Sequence, residues 1–531
     1  MLIQTEEGSS QQMTARSPLP KICIALGLPD PARLLEHARR EAEAGERFLE
    51  FRLDYLARPA DGLAVIGEFL REYPDATLLA TCRRHQNHGR FNGSIEEQFR
   101  VLGEAVKAGA RAVDIEIESA EAPMPHREFL ENKAILVVSY HNYDGTPALE
   151  PVMRRMLKVP ADAYKIVTTA RKPSDNLRVL ALAKSYPKAP LILLAMTEAG
   201  FPTRVLSTVM GGLYTYAAPA ATEGTAAGQV TARTLRQIYK IDKALKDPKL
   251  FGVIADPVRH SISPAVHNRA LQARRFAGLY LPFLVSPLQL KDFFVLADKL
   301  PLAGFSVTIP HKQRIIRYLD AIDPLTRRIG AVNTVYRKAG KWRGTNTDAE
   351  GIRVPLEKRL KIAKSSILVV GNGGSARSAA FTLASAGAKL SITGRNPDRV
   401  RALSKICGAE PLLPEQLHER YFDALIHATP LGMWPNTEEC FFPGPIPADL
   451  VFDLVYTPQE TLLLKRAAGQ GKAVIAGLEM FLEQAAHQFQ LFTGQPAPKA
   501  VMERAALEAL AEQQAQTSSQ PNNSQARRQE Q

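Results

Sequence analysis

The sequence predicts an α/β protein in which a (β/α)8 barrel is followed by a two-lobed α/β unit. The chain has 531 residues, and at about 150 residues per domain this length suggests roughly three or four domains. Apolar residues make up 45% and charged residues 23%, as in globular rather than disordered proteins. Strand-like and helix-like segments alternate along most of the chain, which is typical of βαβ units and parallel sheets.

The barrel is predicted from the segments between residues 19 and 246. Short, apolar, β-rich segments occur there at 22–26, 48–55, 77–82, 112–118, 134–141, 164–169, 191–196 and 212–217. Helical periodicity separates most of them, and a helical run at 231–246 is expected to end the domain. Eight such units in about 230 residues fit a TIM barrel better than an open doubly wound sheet, which is the alternative.

The rest of the chain predicts two lobes and two unstructured ends. Residues 249–361 are expected to form one lobe, completed by 477–511, and residues 362–476 a second, with a cleft between them. Residues 1–18 are polar and residues 512–531 are rich in Gln, Ser and Asn. Both ends are therefore expected to be disordered.

Composition restricts the compartment and the partners. No apolar run approaches the roughly 18–20 residues that a membrane span needs, and the polar N-terminus lacks the apolar core of a secretory signal. The four cysteines are scattered without a CxxC pair, which argues against disulfides or structural zinc and for the cytoplasm. The net charge of +13 is spread out, so it suits anionic small molecules at least as well as nucleic acid. A basic nucleic-acid-binding protein is the rival from another class.

Charged side chains occupy the inward positions of the predicted strands. Because strand side chains alternate with period two, Glu50, Arg52 and Asp54 share the face opposite to their apolar neighbours. The same reasoning puts Asp114 and Glu116 on one face, and Ser139 and His141 on one face. Lys165 lies within the sixth predicted strand, next to the fifth, and Arg83 ends the third, so the interior would hold these charges as well. Barrel interiors are usually filled by Val, Ile and Leu, and buried charges are costly unless they are paired. A structural ion-pair network is therefore one interpretation.

A lysine beside a histidine supports a second interpretation, in which the interior is a catalytic site. A desolvated amine among other cations loses its proton more readily and becomes a nucleophile toward a carbonyl carbon, forming a Schiff base. A neighbouring histidine can move protons near neutral pH. Schiff-base formation with proton abstraction beside it means aldol chemistry or β-elimination. Lys165 and His141, on adjacent predicted strands, are the candidate pair.

Residues 21–245 resemble type I 3-dehydroquinate dehydratase. The motifs are Glu50-Phe-Arg-Leu-Asp54, Thr81-Cys-Arg83, Val113-Asp-Ile-Glu116, Ser139-Tyr-His141, Tyr164-Lys-Ile166, Met196, Arg204 and Thr225-Ala-Ala-Gly-Gln229. The resemblance implies that Lys165 forms an imine with the substrate ketone. His141 would remove the C2 proton and later assist loss of the C1 hydroxyl as water, and no metal would be needed. The substrate hydroxyls and carboxylate would be held by Glu50, Arg52, Arg83, Arg204, Thr225 and Gln229.

Two departures from that family occur at the barrel mouth. The family has Glu and two glycines shortly after the third-strand arginine, where this chain has Asn87-His88-Gly89. That Glu helps to orient the histidine, so Asp114 and Glu116 are the candidates for the role here. The family's Ser-Ala-Pro-Gly-Gln lid motif has Thr225 and no proline in this chain, which is expected to make the lid more flexible.

A glycine-rich turn opens the second lobe. A buried-strand pattern at 366–370 precedes Gly371-Asn-Gly-Gly-Ser-Ala376, and a helix follows. Gly371, Gly373 and Gly374 let the backbone approach a pyrophosphate at a helix N-terminus, as in Rossmann domains. The second strand leads to Arg395 rather than to Asp or Glu, which favours the 2′-phosphate of NADP over the ribose hydroxyl of NAD. An exposed arginine at a strand end is the simpler alternative.

Polar clusters lie at strand ends in the first lobe. Ser261 and Ser263 offer two hydroxyls suited to a carboxylate, although a helix N-cap also explains Ser263. A lysine paired with an aspartate in a cleft can pass a proton to an alkoxide as hydride arrives. The remaining cluster members are Thr308, Lys312, Asn333 and Asp348.

These clusters resemble shikimate dehydrogenase over about 250–495. Further motifs are Ala428-Thr-Pro-Leu-Gly-Met433, Asp453-Leu-Val-Tyr456 and the segment from Gly477 to Gln484. The resemblance implies that Lys312 and Asp348 are the catalytic pair. NADP(H) would bind Gly371, Gly373, Gly374 and Arg395, and shikimate would bind Ser261, Ser263, Thr308, Asn333, Asp348, Tyr456 and Gln484. Ser306 replaces the usual Asn, and Gly394-Arg395-Asn396 replaces Asn-Arg-Thr, so a shorter donor to the substrate and a weaker NADP preference are expected.

Together the two resemblances imply a fused enzyme for steps three and four of the shikimate pathway. The barrel would dehydrate 3-dehydroquinate to 3-dehydroshikimate, and the second half would reduce that ketone with NADPH to shikimate. Two rivals keep the fold: only one half is active, with the dehydratase the more vulnerable because of Asn87, or quinate is the polyol. Oligomeric state and channelling of the intermediate are left open.

Overall fold

Within the residues that the structure describes, the strands form three sheets, in the predicted order of a barrel followed by two α/β lobes. The computed structural model describes residues 19–122, 129, 134–219, 224–243 and 245–518. The disorder predicted for 1–18 and 519–531 lies outside the described residues.

The first sheet is a ring of eight parallel strands. They are β1 (Ile22–Leu26), β2 (Phe48–Arg52), β3 (Thr77–Thr81), β4 (Ala112–Glu116), β5 (Ile135–His141), β6 (Ala163–Thr169), β7 (Leu191–Met196) and β8 (Thr215–Ala217). Consecutive strands pair from β1 to β7, and β8 pairs with β1. The Leu213 N–H donates to the Leu191 carbonyl at 2.8 Å, which joins the chain entering β8 to the start of β7 and closes the ring. The predicted barrel is confirmed over the open-sheet alternative.

Two layers of side chains fill the ring. The first is apolar and contains Cys23, Phe48, Leu79, Ala112, Val137, Ile192 and Tyr214. Two residues further along the strands, on the same face, lie the buried side chains of Glu50, Thr81, Asp114, Ser139, Lys165 and Tyr216. The polar layer therefore rests on an apolar layer, at the ends of the strands where barrel active sites occur.

Helices cover the outside of the barrel. They are α1 (Pro31–Glu43), α2 (Asp61–Glu72), α3 (Ile95–Lys107), α4 (Ile117–Ala120), α5 (Glu150–Met156), α6 (Asp175–Ser185), α7 (Phe201–Val209) and α8 (Ala232–Gln237). Capping residues fix where two of these helices begin. Asp30 caps α1 ahead of Pro31, and Ser94 forms a capping box with Glu97 in α3. The helix predicted at 231–246 is too long, because α8 ends at Gln237 and Lys240 adopts a positive φ of 53° that no helix contains.

The second sheet belongs to the first lobe of the dehydrogenase-like half. Its strands are β9 (Lys249–Ala255), β10 (Gly278–Leu284), β11 (Leu302–Val307), β12 (Ala321–Ile322), β13 (Thr334–Lys338) and β14 (Lys341–Thr345), in the order β10-β9-β11-β13-β14-β12. Its helices are α9 (Ser263–Ala273), α10 (Leu290–Lys299), α11 (Pro324–Ile329) and α12 (Asp348–Glu357). β9, β10 and β11 are parallel, so their carboxyl ends meet at one edge.

The third sheet is parallel throughout and forms the second lobe. Its strands are β15 (Ser366–Val370), β16 (Lys389–Thr393), β17 (Glu410–Pro411), β18 (Phe422–His427), β19 (Ala448–Asp453) and β20 (Ala473–Ile475), in the order β17-β16-β15-β18-β19-β20. Helices α13 (Gly374–Ser385), α14 (Pro397–Cys407) and α15 (Leu462–Gly469) connect them. The strand order reverses between β15 and β18, which creates the crevice where open α/β sheets bind ligands.

Two C-terminal helices return to the first lobe, and the second corrects the predicted tail. They are α16 (Gly477–Thr493) and α17 (Lys499–Ser518). The tail predicted to be disordered from residue 512 is helical as far as Ser518, because Ala, Glu and Gln are good helix formers and the helix has a packing face. Met502, Ala506 and Leu510, spaced four apart, are buried against α9.

The barrel contacts the first lobe directly. Asp292 of α10 accepts hydrogen bonds from the backbone N–H and the hydroxyl of Ser174, at 2.8 and 2.6 Å, just before α6. The Gln272 amide donates to the Ile238 carbonyl at 2.9 Å. Among the described helices, none is both long and apolar enough to cross a membrane.

Candidate active sites

Lys165 lies inside the barrel. Its amine donates a hydrogen bond to Asp114 Oδ2 at 2.9 Å and to the Tyr216 hydroxyl at 3.0 Å, and Glu50 Oε1 lies 3.9 Å away. These partners belong to β4, β8 and β2, which β6 can meet only across the barrel interior. The side chain is 5% exposed. The amine therefore points into the interior.

The charges around Lys165 differ from those expected. The sequence predicted cations beside the amine, but its nearest charged partners are the carboxylates of Asp114 and Glu50, so that prediction is wrong. Arg83 is held on the other oxygen of Asp114, at 2.8 Å. Burial would raise the pKa of Asp114, and Lys165 and Arg83, with the Ser139 hydroxyl, lower it below its ordinary value. Strand periodicity indicates which side chains share the interior, but not which of them become nearest neighbours.

His141 sits at the end of β5 against Arg83. Arg83 Nη1 lies 2.5 Å from His141 Nδ1 and 2.6 Å from Nε2. Burial, and then the charges of Arg83 and Lys165, lower the pKa of His141 well below its ordinary value. The imidazole is consequently neutral at neutral pH and able to accept a proton.

At the position where the dehydratase family has its histidine-orienting Glu, this chain has Asn87, and the Asn87 side chain bonds a glutamate instead of the histidine. Asn87 donates to a surface glutamate at 2.9 Å. Asp114 and Glu116 were the candidates to replace that Glu. Glu116 accepts from the Arg84 N–H at 2.8 Å and from the Gln98 amide of α3 at 2.6 Å. Asp114 reaches His141 only through Arg83. The group that touches the imidazole is therefore a cation rather than a carboxylate.

Arg204 is a buried cation at the edge of the barrel interior. Its guanidinium donates to the carbonyls of Tyr216, at 3.5 Å, and Ala227, at 3.1 Å, while Nε has no partner among the described residues. It is 2% exposed, and burial lowers its pKa to about 10. A buried guanidinium facing neutral carbonyls is suited to an incoming carboxylate.

The segment after β8 lies over the same end of the barrel. Gln229 Oε1 accepts from the Ala226 N–H at 3.2 Å, and the Thr225 hydroxyl lies within 3.5 Å of the same amide. The Thr225 methyl group is 3.0 Å from where a Cβ on Gly27, at the end of β1, would stand. Thr225 and Gln229 are thus brought to the barrel mouth on the side of Arg204.

Arg52 and Glu50 already have partners within the barrel. Arg52 makes two hydrogen bonds with Asp54, at 2.9 and 2.8 Å. Glu50 accepts from the Thr81 hydroxyl at 2.6 Å. Both side chains are therefore held in fixed orientations at the polar layer.

In the second half, Lys312 and Asp348 form a close pair. Lys312 Nζ donates to Asp348 Oδ2 at 2.5 Å, and it lies 3.4 Å from the Ser375 hydroxyl. A Cβ on Gly374 would stand 3.2 Å from Lys312 Cδ. The pair belongs to the first lobe and the other two residues to the glycine-rich turn of the second, so the pair faces the cleft between the lobes.

An amide network holds Asp348. Asn333 Nδ2 donates to Asp348 Oδ1 at 2.7 Å and lies 3.4 Å from Gln484 Oε1. The Thr347 N–H donates to Asn333 Oδ1 at 2.8 Å. The structure thus brings Asn333, Asp348 and Gln484 together, although Gln484 lies far from the other two in the sequence.

The other predicted shikimate contacts lie around the same cleft. The Ser263 N–H donates to the Ser261 hydroxyl at 3.3 Å, so both hydroxyls sit where the chain enters α9, whose first residue is Ser263. Thr308 follows β11, and its carbonyl accepts from the N–H of His311 at 2.8 Å. Tyr456 packs on an α16 phenylalanine with ring centroids 5.1 Å apart, and burial raises its pKa to about 12.

Ser306 is not the shortened substrate donor that was expected. Its hydroxyl accepts from the Tyr280 hydroxyl at 2.6 Å and donates to Gln488 Oε1 at 2.7 Å. The Gln488 amide in turn donates to the Asn333 carbonyl at 3.2 Å. Ser306 therefore stabilises the amide network through Gln488, which bonds Asn333.

The glycine-rich turn leaves space for an anion at the start of α13. Gly371 has a φ of 127°, and a Cβ there would stand 2.8 Å from the Ala428 carbonyl oxygen, so this position requires glycine. Around Gly373, which precedes the helix, the space that a Cβ would enter is open. Arg395 is exposed just beyond β16, next to this turn. The turn and the helix N-terminus fit a dinucleotide pyrophosphate, with a cation at the tip of the neighbouring strand.

Sequence reasoning overlooked two sets of buried polar residues. Tyr216 is a direct partner of Lys165, and its position two residues after Tyr214 on a strand was the available signal. His427 bonds Asp453 at the crevice of the third sheet, and both end buried strands. A titratable residue directly before the motif at 428–433 was the signal for the second set.

The two sites define a class of protein: a barrel with an interior lysine and histidine, fused to a two-lobed dinucleotide-dependent dehydrogenase. Family models match both parts. They are type I 3-dehydroquinase at residues 22–246, the shikimate dehydrogenase substrate binding domain at 253–335 and the shikimate 5′-dehydrogenase C-terminal domain at 477–507.

Relatives with both parts also match. A chloroplastic bifunctional 3-dehydroquinate dehydratase/shikimate dehydrogenase of Arabidopsis thaliana is 34% identical over 515 residues, covering 90% of this chain and 83% of that protein. A shikimate biosynthesis protein of Chlamydia pneumoniae is 32% identical over 382 residues, covering 72% of this chain and 78% of that protein. A Thermus thermophilus shikimate 5-dehydrogenase structure with NADP(H) and shikimate is 33% identical, with a TM-score of 0.46, and covers 49% of this chain and 99% of that one.

The chain belongs to the family of bifunctional 3-dehydroquinate dehydratase/shikimate dehydrogenases. It is an enzyme with a lyase half and an NADP-dependent oxidoreductase half. Both resemblances inferred from the sequence are confirmed.

Proposed function

We propose that this chain converts 3-dehydroquinate to shikimate through an imine on Lys165 and then a proton transfer from Lys312. The observation that carries the proposal is a matched pair of contacts. Each half sets a lysine amine against an aspartate within a polar cluster, Lys165 on Asp114 and Lys312 on Asp348. The first pair lies inside a barrel and the second beside a dinucleotide-binding turn, as the two chemistries require.

In the barrel, the Lys165 amine adds to the substrate ketone, and water leaves to give an imine. Neutral His141 removes a proton from C2, and the electron pair is taken up by the imine. When that pair returns, the C1 hydroxyl leaves with the proton from His141 as water. Hydrolysis of the imine then releases 3-dehydroshikimate and restores the amine. The lowered pKa of His141 supports its role as the base.

Substrate binding in the barrel is assigned to the polar residues at its mouth. Arg204 binds the substrate carboxylate, because its described partners are neutral carbonyls only. Thr225 and Gln229 complete that end of the site. The substrate hydroxyls contact the inward side chains of Glu50, Arg52 and Arg83.

In the second half, bound NADPH supplies a hydride to the ketone carbon. Lys312 donates a proton to the alkoxide oxygen that results, and Asp348 orients the ammonium group through their hydrogen bond. Gly371, Gly373 and Gly374 line the pyrophosphate site, and Arg395 contacts the 2′-phosphate. The ring hydroxyls and carboxylate of shikimate are bound by Ser261, Ser263, Thr308, Asn333, Tyr456 and Gln484, with Asp348.

The test is to supply the full chain with 3-dehydroquinate and NADPH and to follow shikimate formation. Wild type should form shikimate, Lys165→Ala should form none, and added 3-dehydroshikimate should restore formation in that variant. A chain that reduces 3-dehydroshikimate but never consumes 3-dehydroquinate would contradict the dehydratase half, whose family position for Glu is Asn87. Quinate with NADP+, assayed in parallel, tests the rival polyol. The cytoplasmic location stays a prediction.

A further inference from the structure

His427 is buried at the end of β18, beside the glycine-rich turn. It is 1% exposed, and its two ring nitrogens both have partners. Nδ1 lies 2.8 Å from Asp453 Oδ1, and Nε2 lies 2.6 Å from the Thr429 hydroxyl. Asp453 also accepts from the Thr461 hydroxyl at 2.6 Å and from the Val455 N–H at 3.1 Å. The result is a continuous network that is buried at His427, Asp453 and Thr461 and ends on the partly buried Thr429.

The partners assign a direction to each hydrogen bond. A carboxylate only accepts, so His427 Nδ1–H donates to Asp453. The Thr429 oxygen accepts from the Leu431 N–H at 3.2 Å, and its own proton is available to His427 Nε2. Both ring nitrogens and the Thr429 hydroxyl are therefore engaged within the network. Thr429 is thus held between the histidine and the backbone of its own turn.

The turn at residues 428–433, which begins with Ala428 and Thr429, packs against the glycine-rich turn. The Ala428 carbonyl oxygen and the Thr429 methyl group are 2.8 and 3.4 Å from where a Cβ on Gly371 would stand. These two turns follow β18 and β15, the strands between which the sheet order reverses. A dinucleotide bound in that crevice lies against both turns.

We propose that His427 is a positioning residue for the cofactor. With Asp453 it fixes Thr429, and through Thr429 it fixes the turn at 428–433 that forms one wall of the crevice. The proposal rests on NADP use by the dehydrogenase half and adds a residue that acts through another rather than on the cofactor itself. The side chain of His427 has no role of its own in the reduction step.

Two amide variants separate the two bonds of the imidazole. In His427→Asn the amide stands near the former Nδ1, so the bond to Asp453 is kept and the bond to Thr429 is lost. In His427→Gln the amide reaches toward the former Nε2, so the bond to Thr429 is kept and the bond to Asp453 is lost. We expect the KM for NADPH to rise on the order of tenfold in His427→Asn and less in His427→Gln. The KM for 3-dehydroshikimate should stay within about twofold in both.

A double-mutant cycle tests whether the effect passes through Thr429. Thr429→Val removes the hydroxyl at nearly constant shape, and Thr429→Ser keeps it as the matched control. If His427 acts through this hydroxyl, the double variant His427→Asn/Thr429→Val should have the same KM for NADPH as the worse single variant. Effects that multiply would show that the two residues act independently and would overturn the proposal.

The dehydratase activity of each sample serves as an internal control for folding. It should stay at the wild-type level in all these variants, because their sites lie in the third sheet. An unchanged KM for NADPH in both His427→Asn and Thr429→Val would overturn the proposal. An equal rise in both KM values, with a lower melting temperature, would also overturn it, because it would assign His427 a structural role only.

Discussion

The two lysine sites differ in how the fold holds them. Lys165 takes its partners from β2, β4 and β8 of one closed ring, so the pairing of strands brings these partners to the amine. Lys312 follows a strand of one lobe, its partner Asp348 begins a helix, and Gly374 approaches from the other lobe. Substitutions in the barrel should therefore act mainly through charge and chemistry. In the dehydrogenase they should act mainly through the alignment of two lobes.

The largest expected effect breaks one site and leaves the other intact. Lys165→Ala should lower dehydratase kcat by on the order of 10³-fold or more, because the covalent step is lost. Reduction of 3-dehydroshikimate by the same sample should not change. Lys188→Ala, which removes an exposed lysine from the barrel surface, is the control. Parallel loss of both activities would show that the two halves are not independent.

The converse substitution should have a smaller effect. Lys312→Ala removes the proton donor but leaves NADPH and substrate bound, so reductase kcat should fall by roughly 10²- to 10⁴-fold. Steady-state assays of both activities check this, with dehydration as the internal reference. A change confined to KM would contradict the assignment of Lys312 to the proton transfer.

Arg204→Met should separate binding from stability in the barrel. The KM for 3-dehydroquinate should rise by on the order of 10²-fold, because a charged hydrogen-bonding partner of the carboxylate is lost. The melting temperature should not fall, since the substitution removes a buried guanidinium that faces only neutral carbonyls in the described structure. A large loss of stability with an unchanged KM would instead make Arg204 a structural residue.

The barrel site should also be less sensitive to acid than free imidazole. The pKa of His141 lies well below 6.5, so the neutral base persists as the pH falls from 8 through 6.5. Dehydratase kcat/KM should therefore stay level over that range. Arg83→Gln removes the nearest cation, so the pKa of His141 should rise and the acid limb should move to higher pH. A wild-type profile that already falls by half near pH 6.5, and that Arg83→Gln leaves in place, would contradict this account.

The smallest expected effect concerns binding of the 2′-phosphate of NADPH. Arg395→Ala should raise the KM for NADPH by about tenfold and the KM for NADH much less, because only NADPH carries the 2′-phosphate. Measuring both cofactors on one preparation checks this. Equal effects on the two KM values would remove Arg395 from the phosphate site.

Much of the barrel could be predicted because a short-range rule governs it. Period-two alternation identified Glu50, Arg52 and Asp114 as inward residues before any contact was known. The rule contains no information on which strands face each other across the ring. For that reason cations were expected next to Lys165, where the carboxylates of Asp114 and Glu50 lie, and Tyr216 was overlooked.

The dehydrogenase half was predictable only where a motif carried the information. The glycine-rich turn indicated a dinucleotide site, whereas the link between Ser306 and Gln488 joins residues 182 positions apart. At the C-terminal tail, composition predicted disorder where the structure has a helix as far as Ser518. Its Gln content suggested disorder, but a stripe of Met502, Ala506 and Leu510 packs on α9 and stabilises the helix.

Reductive trapping tests whether Lys165 forms an imine with the substrate. The full chain is incubated with 3-dehydroquinate and borohydride, and the modified peptide is located by mass spectrometry. We expect one covalent adduct, on Lys165, that is absent from Lys165→Ala. An intact, active enzyme that gives no adduct, or an adduct on another lysine only, would contradict it.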